Sequence, residues 1–146
     1  MSNLVLELRA GEMMVVNGAA IRFRSRSRIE LASRARFLFG KQIMAPEEAT
    51  TPARRIYSAL QTAYIGSDEE REQARGIASR LIRMFRDATT SAAARLILDE
   101  VEQAVTVDDC YRALRLTRRI IRHEDAVLGV ADNGGGVRQA CEIAAS

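Results

Sequence analysis

The chain has no tryptophan, one histidine, one lysine, two prolines and two cysteines, and only 5% of its 146 residues are aromatic. Each shortage closes off a class of function. A single histidine, His123, excludes a multi-histidine metal site, and a zinc site would have to be assembled from scattered residues. Cys110 and Cys141 lie far apart and belong to no C-x-x-C pair; Cys110 falls in a helical apolar pattern and reads as a small core residue. No run reaches the roughly 18 apolar residues that a membrane span needs. Glu7 and Arg9 interrupt the apolar opening, so the start does not resemble a signal peptide, and a cytoplasmic protein without a membrane partner is expected.

Catalytic signatures are missing too. The sequence holds no G-x-S-x-G, no Walker A loop and no G-x-G-x-x-G opening a helix. His123-Glu124-Asp125 gathers titratable groups at the end of an expected helix, where a cationic histidine complements the helix dipole; that reading outweighs an acid–base site. The expectation is a protein that is not an enzyme and has no cofactor or metal.

What is present is ordinary globular material, 47% apolar and 28% charged, enough for one real core. The net charge of +3 is unevenly spread. Residues 1–45 carry eight basic against three acidic side chains, a net of +5, and the remainder carries −2. A basic end on a mildly acidic body is a reason to look for an anionic partner there.

At the centre of that basic end lies Ile21-Arg22-Phe23-Arg24-Ser25-Arg26-Ser27-Arg28-Ile29. In an extended strand the four arginines form one row with neighbours roughly 6–7 Å apart. Guanidinium groups donate in a planar fork that suits phosphate, so the row reads as a rail for a polyanion. It reads equally as the solvated face of an edge strand, where charge blocks edge-to-edge aggregation. Arg34, Arg36 and Lys41 extend the basic set, giving Arg22, Arg24, Arg26, Arg28, Arg34, Arg36 and Lys41 as the candidate RNA-binding residues. Phe23, Phe37 and Phe39 read as sheet core, so any RNA would be held through backbone and arginine contacts rather than by stacking.

The pattern over residues 1–45 is that of short antiparallel strands. Leu4, Leu6 and Leu8 alternate with Val5, Glu7 and Arg9, and Ala10-Gly11 offers a turn. Met13 to Val16 is apolar on both faces and should be covered on both sides. Asn17-Gly18 suits a type I′ hairpin. A turn near Ser25 to Ser27 would split the arginine row between two strands, and Arg36 to Phe39 supplies a further strand.

After a connector at Ala45–Thr51 the period changes to 3.6. Thr51-Pro52 predicts a capped helix running to about Ile65, with Gly66 as a left-handed stop. Ser67 and Glu70 make a capping box for a second helix, with Ala74, Ile77, Ala78, Leu81, Met84 and Phe85 as its buried stripe. A third helix presents Ala94, Ile97, Leu98, Val101, Ala104 and Val105. Thr106 with Asp109 signals a fourth, with Cys110, Ala113, Leu114, Thr117 and Ile121 inward. On that fourth helix Arg115, Arg118, Arg119 and Arg122 share a face with Arg112 nearby; Glu100 or Glu102 can pair with them, or they form a second anionic contact. The expected fold is α+β: an N-terminal antiparallel β-meander (1–45, a basic β-module), a bundle of about four helices (46–129) and a flexible Gly-rich tail (130–146).

Several segments resemble one family. Leu8-Arg9-Ala10-Gly11-Glu12 and Val15-Val16-Asn17-Gly18-Ala19 are similar to the opening of the FlbT family, regulators of flagellin expression in alphaproteobacteria. The likeness continues through Met44-Ala45-Pro46-Glu47-Glu48-Ala49-Thr50-Thr51-Pro52, Ile56-Tyr57 and Gln61-Thr62. It closes at Glu124-Asp125-Ala126-Val127-Leu128-Gly129. It implies association with the 5′ untranslated region of flagellin mRNA and control of its translation and decay. By architecture, the Gly11-Glu12 turn between short strands also looks like the start of the CsrA-type RNA-binding module, which works as a strand-exchanged dimer. Expected partners are therefore the flagellin mRNA leader, with flagellin or another flagellar regulatory protein as the alternative, and a second copy joined through the β-module edges.

Overall fold

The computed structural model describes residues 4–33 and 35–129. Arg34 and the tail at 130–146, including Cys141, lie outside the described residues. The fold class is the expected α+β: antiparallel strands in two small sheets, then four helices.

The strands are β1 (Leu4–Leu8), β2 (Met13–Val16), β3 (Ala19–Arg22), β4 (Ser27–Leu31) and β5 (Phe37–Phe39). Their order is not sequential. β2 pairs with β3 across the Asn17-Gly18 turn, whose two residues have φ of 50° and 87°, as a primed hairpin turn requires. β1 pairs with β4 rather than with β2, and β5 adds to the free edge of β2.

The two pairings share one register. Leu8 opposes Ser27 in one sheet and Met13 opposes Arg22 in the other, so four residues separate the pairs on each strand. The chain from Leu4 to Leu31 is thus a single long hairpin, bent where Arg9–Glu12 faces Phe23–Arg26. Two hydrogen bonds span the bend, from Gly11 N–H to the Phe23 carbonyl and from Phe23 N–H to the Glu12 carbonyl.

Alternation then assigns the faces. Met14 and Phe39 are buried with Leu6 and Leu8 in a small core, and Val16, Phe23, Ile29, Leu31 and Phe37 pack around it. Val15 and Leu38, on the other face, belong to the helical core. β2 is therefore covered on both sides, as its uninterrupted apolar sequence demands.

The helices are α1 (Pro52–Ile65), α2 (Asp68–Ala88), α3 (Ala92–Thr106) and α4 (Cys110–Leu128). α1 packs on α2 and α4, and α3 on α4 and α2, closing a four-helix bundle. Thr51 caps α1 by accepting from Arg54 N–H, Ser67 and Glu70 cap α2 reciprocally, Ser91 caps α3 and Asp109 caps α4. Hydrogen bonds from Ser67 hold the Glu70 carboxyl below its ordinary range. Asp109 performs its capping alone: Thr106 is the last residue of α3.

Three expectations fail in detail. Gly66 is extended (φ −74°, ψ 179°), not left-handed. Glycine is needed there because a Cβ would lie 2.6 Å from the Thr62 carbonyl oxygen. On α2, Ile77 and Met84 are exposed while Ile82 is fully buried, because α2 meets its neighbours along a narrow seam centred on Ala74, Ala78 and Ile82. On α4 the fully buried isoleucine is Ile120, with Ile121 half-buried.

Candidate nucleic-acid interface

The hairpin bend determines where the basic side chains stand. The arginine row is not one strand: Arg22 ends β3, Arg24 and Arg26 lie in the bend, and Arg28 sits within β4. All four are exposed. Arg26 approaches Glu7 at 3.6 Å with both side chains in solvent, a pair worth little in water. Among the described residues Arg22 reaches the Met13 sulfur, at 3.6 Å, and no carboxylate. Arg24 and Arg28 form no ion pair among the described residues, although Arg28 lies across from Glu7 in the β1–β4 register. Glu12 is occupied inside the bend, accepting from Arg9 N–H at 2.8 Å.

Lys41 joins this end of the β-module. It is exposed, in the 3-10 turn Gly40–Gln42 after β5, and Gly40 lies against Glu12: a Cβ there would be 3.1 Å from the carboxylate. Arg36 does not join it. Its backbone N–H donates to Asn17 Oδ1 and its carbonyl accepts from Asn17 N–H, so it braces the turn at the opposite end of β2. The structure therefore gathers Arg22, Arg24, Arg26, Arg28 and Lys41, sets Arg36 apart, and leaves Arg34 undescribed.

A polar junction fastens this module to the bundle. Gln42 is 2% exposed; its side chain accepts from Phe39 N–H, and its carbonyl accepts a 2.8 Å hydrogen bond from the Tyr57 hydroxyl. Arg118 of α4 donates to the same hydroxyl at 2.8 Å and stands 5.5 Å from the Tyr57 ring centre. Gln61 grips the connector from both sides, accepting from Met44 N–H and donating to the Met44 carbonyl.

Glu124 and Asp125 form a clasp on the start of α1 rather than an acid–base site. The buried Glu124 accepts from Ala53 N–H at 2.9 Å, in the first turn of α1, where the dipole favours a carboxylate. Asp125 takes the Arg54 guanidinium in a two-pronged contact at 2.8 and 3.0 Å, which raises the Arg54 pKa. Tyr57, Gln61 and Glu124 were not singled out as site residues from the sequence. Their partners are 15, 17 and 71 residues away, a separation that no local pattern reports.

The fourth-helix arginines depart from the expected pairing. Glu102 turns to Arg83 and Asp99 to Arg86, both on α2, so no carboxylate of α3 reaches α4. Cys110 is buried and its thiol is pushed up to about 11, chiefly by burial, which makes it an inert core residue. Among the described residues no group of three or more His, Cys, Asp or Glu is placed to hold a metal ion. No described helix is long and apolar enough to cross a membrane. Between α1 and α2 runs an open groove of about 380 Å³, lined in part by Ala59, Ala74, Ile77 and Leu81.

Known proteins are similar to this chain over most of its length. A relative from Mesorhizobium japonicum, named probable flagellum biosynthesis repressor protein FlbT, is 30% identical over 99% of this chain and 97% of its own. Relatives of the same name from Caulobacter sp. strain K31 and Caulobacter vibrioides are 34% and 32% identical, over 86% and 90% of this chain and 96% and 93% of theirs. No solved structure matches. The family described as flagellar protein FlbT matches residues 4–128, the whole of the hairpin and bundle, and this chain belongs to the FlbT family.

Proposed function

We propose that this protein, whose relatives are named repressors of flagellum biosynthesis, regulates flagellin synthesis after transcription. It binds the 5′ untranslated region of flagellin mRNA and alters its translation and decay, which places it in the cytoplasm. The observation that carries this reading is the set of exposed cations at the hairpin bend, with Arg24 and Arg28 in no ion pair among the described residues. Arg22, Arg24, Arg26, Arg28 and Lys41 supply phosphate contacts there; Arg36 stands apart at the other end of β2, and Arg34 lies outside the described residues. Phe23, Phe37 and Phe39 are engaged in the small core, which supports backbone contact over base stacking. A second copy pairing along the open edges of β1 and β4 would double the contact surface.

The test is retention of flagellin leader RNA by the full chain and by a variant with Arg22, Arg24, Arg26 and Arg28 all changed to alanine. Parent binding that weakens steeply with salt, and its loss in the variant with the helical circular dichroism intact, is the expected result. Undiminished leader binding by the variant removes the bend from the mechanism. A second reading, a module that binds flagellin or another flagellar factor without RNA, is favoured by the α1–α2 groove with its exposed Ile77. Capture of such a protein by the RNase-treated full chain, together with no leader binding, would establish it instead.

A further inference from the structure

On α4, Arg112, Arg115, Arg119 and Arg122 are exposed and fall on one stripe, at successive steps of three, four and three residues. At 1.5 Å rise per residue the stripe runs about 15 Å, with a repeat of about 5 Å. Like charges so spaced repel one another unless neutralised. Among the described residues none of the four forms an ion pair. Glu100 of α3 is exposed and forms no ion pair with the stripe, and the other nearby carboxylates are committed elsewhere. Glu124 and Asp125, the acids within α4, hold the start of α1. Asp99 and Glu102 on α3 pair with α2, Asp109 caps α4, and Asp108 stands 3.8 Å from Arg75.

The chemistry of the face selects the kind of anion. A protein partner would need apolar anchors at the centre of its contact. From Tyr111 to Ala126 the helix presents no exposed large apolar side chain, the nearest being Val107 and Val127. A regular row of forked cations without an apolar centre fits a chain of phosphates.

A hydrogen-bonded path leads from α4 to the end of β5, beside the bend. Arg118 flanks the stripe and donates to Tyr57, which donates to Gln42; Lys41 is the exposed neighbour of Gln42 and lies on the bend side of the β-module. We infer that α4 carries a second phosphate-backbone contact for RNA. A single strand crossing the bend continues past Lys41 onto Arg112, Arg115, Arg119 and Arg122. This inference rests on the RNA reading above and assigns that RNA a second part of the surface.

The experiment measures binding of the full chain to flagellin leader RNA and to an unstructured oligouridine across a salt series. The stripe variant changes Arg112, Arg115, Arg119 and Arg122 to glutamine, which keeps helix propensity; a companion changes the same four to lysine. Losing three to four phosphate contacts makes the slope of log affinity against log salt shallower by about 2–3 units. Affinity at about 0.15 M salt then falls roughly 50- to 200-fold for both RNAs. The lysine variant keeps the parent slope to within about one unit, because charge rather than the fork sets the salt dependence. A folded glutamine variant with parental slope and affinity overturns the stripe, and continued loss of leader binding in the bend variant would then leave the RNA reading standing. A parent that binds neither RNA overturns both. Loss of a co-purifying protein in the glutamine variant, with RNA affinity unchanged, overturns the stripe as an RNA contact.

Discussion

Replacing Tyr57 by phenylalanine removes one oxygen from the junction between the hairpin and the bundle and nothing else. The side chain is 3% exposed, so the ring keeps its packing, and the Arg118 guanidinium keeps its place beside the ring. What disappears is a donor to the Gln42 carbonyl and an acceptor for Arg118. Arg118 is half-exposed and can turn to water, so its share of the loss is small. Gln42 is buried, and its carbonyl is left without its donor, a desolvation cost of about 1–3 kcal/mol. We expect Tyr57→Phe to cost about 2 kcal/mol in total. With a urea m-value of about 2 kcal/mol/M, the midpoint falls by about 1 M at unchanged m. A double-mutant cycle with Arg118→Met should show a coupling of at least about 0.5 kcal/mol. Tyr57→Leu, which also removes the ring, should be worse than Tyr57→Phe. A loss below about 0.5 kcal/mol for Tyr57→Phe, with m unchanged, would refute the reasoning: the hydroxyl would then not be buried between Gln42 and Arg118.

Glu124→Ala leaves Ala53 N–H without its acceptor and should cost about 1–2 kcal/mol in urea unfolding, the range of a lost helix cap. Gly66→Ala forces the end of α1 to move away from the Thr62 carbonyl and should cost about 1–3 kcal/mol, whereas Gly76→Ala, mid-helix on α2 with open space around it, should stabilise by about 0.5–1 kcal/mol. The Cys110 thiol ionises near 11 in the folded protein against an ordinary value of 9.0, so the native state holds its proton more tightly than the unfolded chain does. Its contribution is fully present below pH 9 and is lost as pH rises from 9.0 towards 11, and a pH series of urea midpoints should fall over that window more in the parent than in Cys110→Ala. Alkylation of the native Cys110→Ala variant and the parent at pH 8 should likewise differ by little, since the buried thiol stays neutral.

The parts of the fold written locally were the legible ones. Thr51-Pro52, the Ser67–Glu70 pair and Asn17-Gly18 each act within four residues, and each does what its chemistry predicts. The pairing of β1 with β4 was not visible, because it depends on a register carried across a bend from a turn nine residues beyond Leu8. The burial of α2 was misjudged for a similar reason. Alanines at 74 and 78 define a close seam, which leaves Ile77 and Met84 outside a stripe that hydrophobicity alone would include. Of the candidate site, the arginines were legible as residues but not as a shape. The sequence could not say which acids would be spent elsewhere, and it is the commitment of Asp99, Glu102, Glu124 and Asp125 to other partners that leaves α4 basic.

The shared register of the long hairpin has a consequence for how such a surface can change. The segments Arg9–Glu12 and Phe23–Arg26 are matched in length, and Leu6, Leu8, Met14 and Phe39 meet only because both strands leave the bend in phase. A single inserted or deleted residue on either side would turn every later side chain to the wrong face. Substitution carries no such penalty where the side chains stand in solvent. The charge of the bend is therefore free to change by substitution without refolding the strands that present it, while its residue count stays locked.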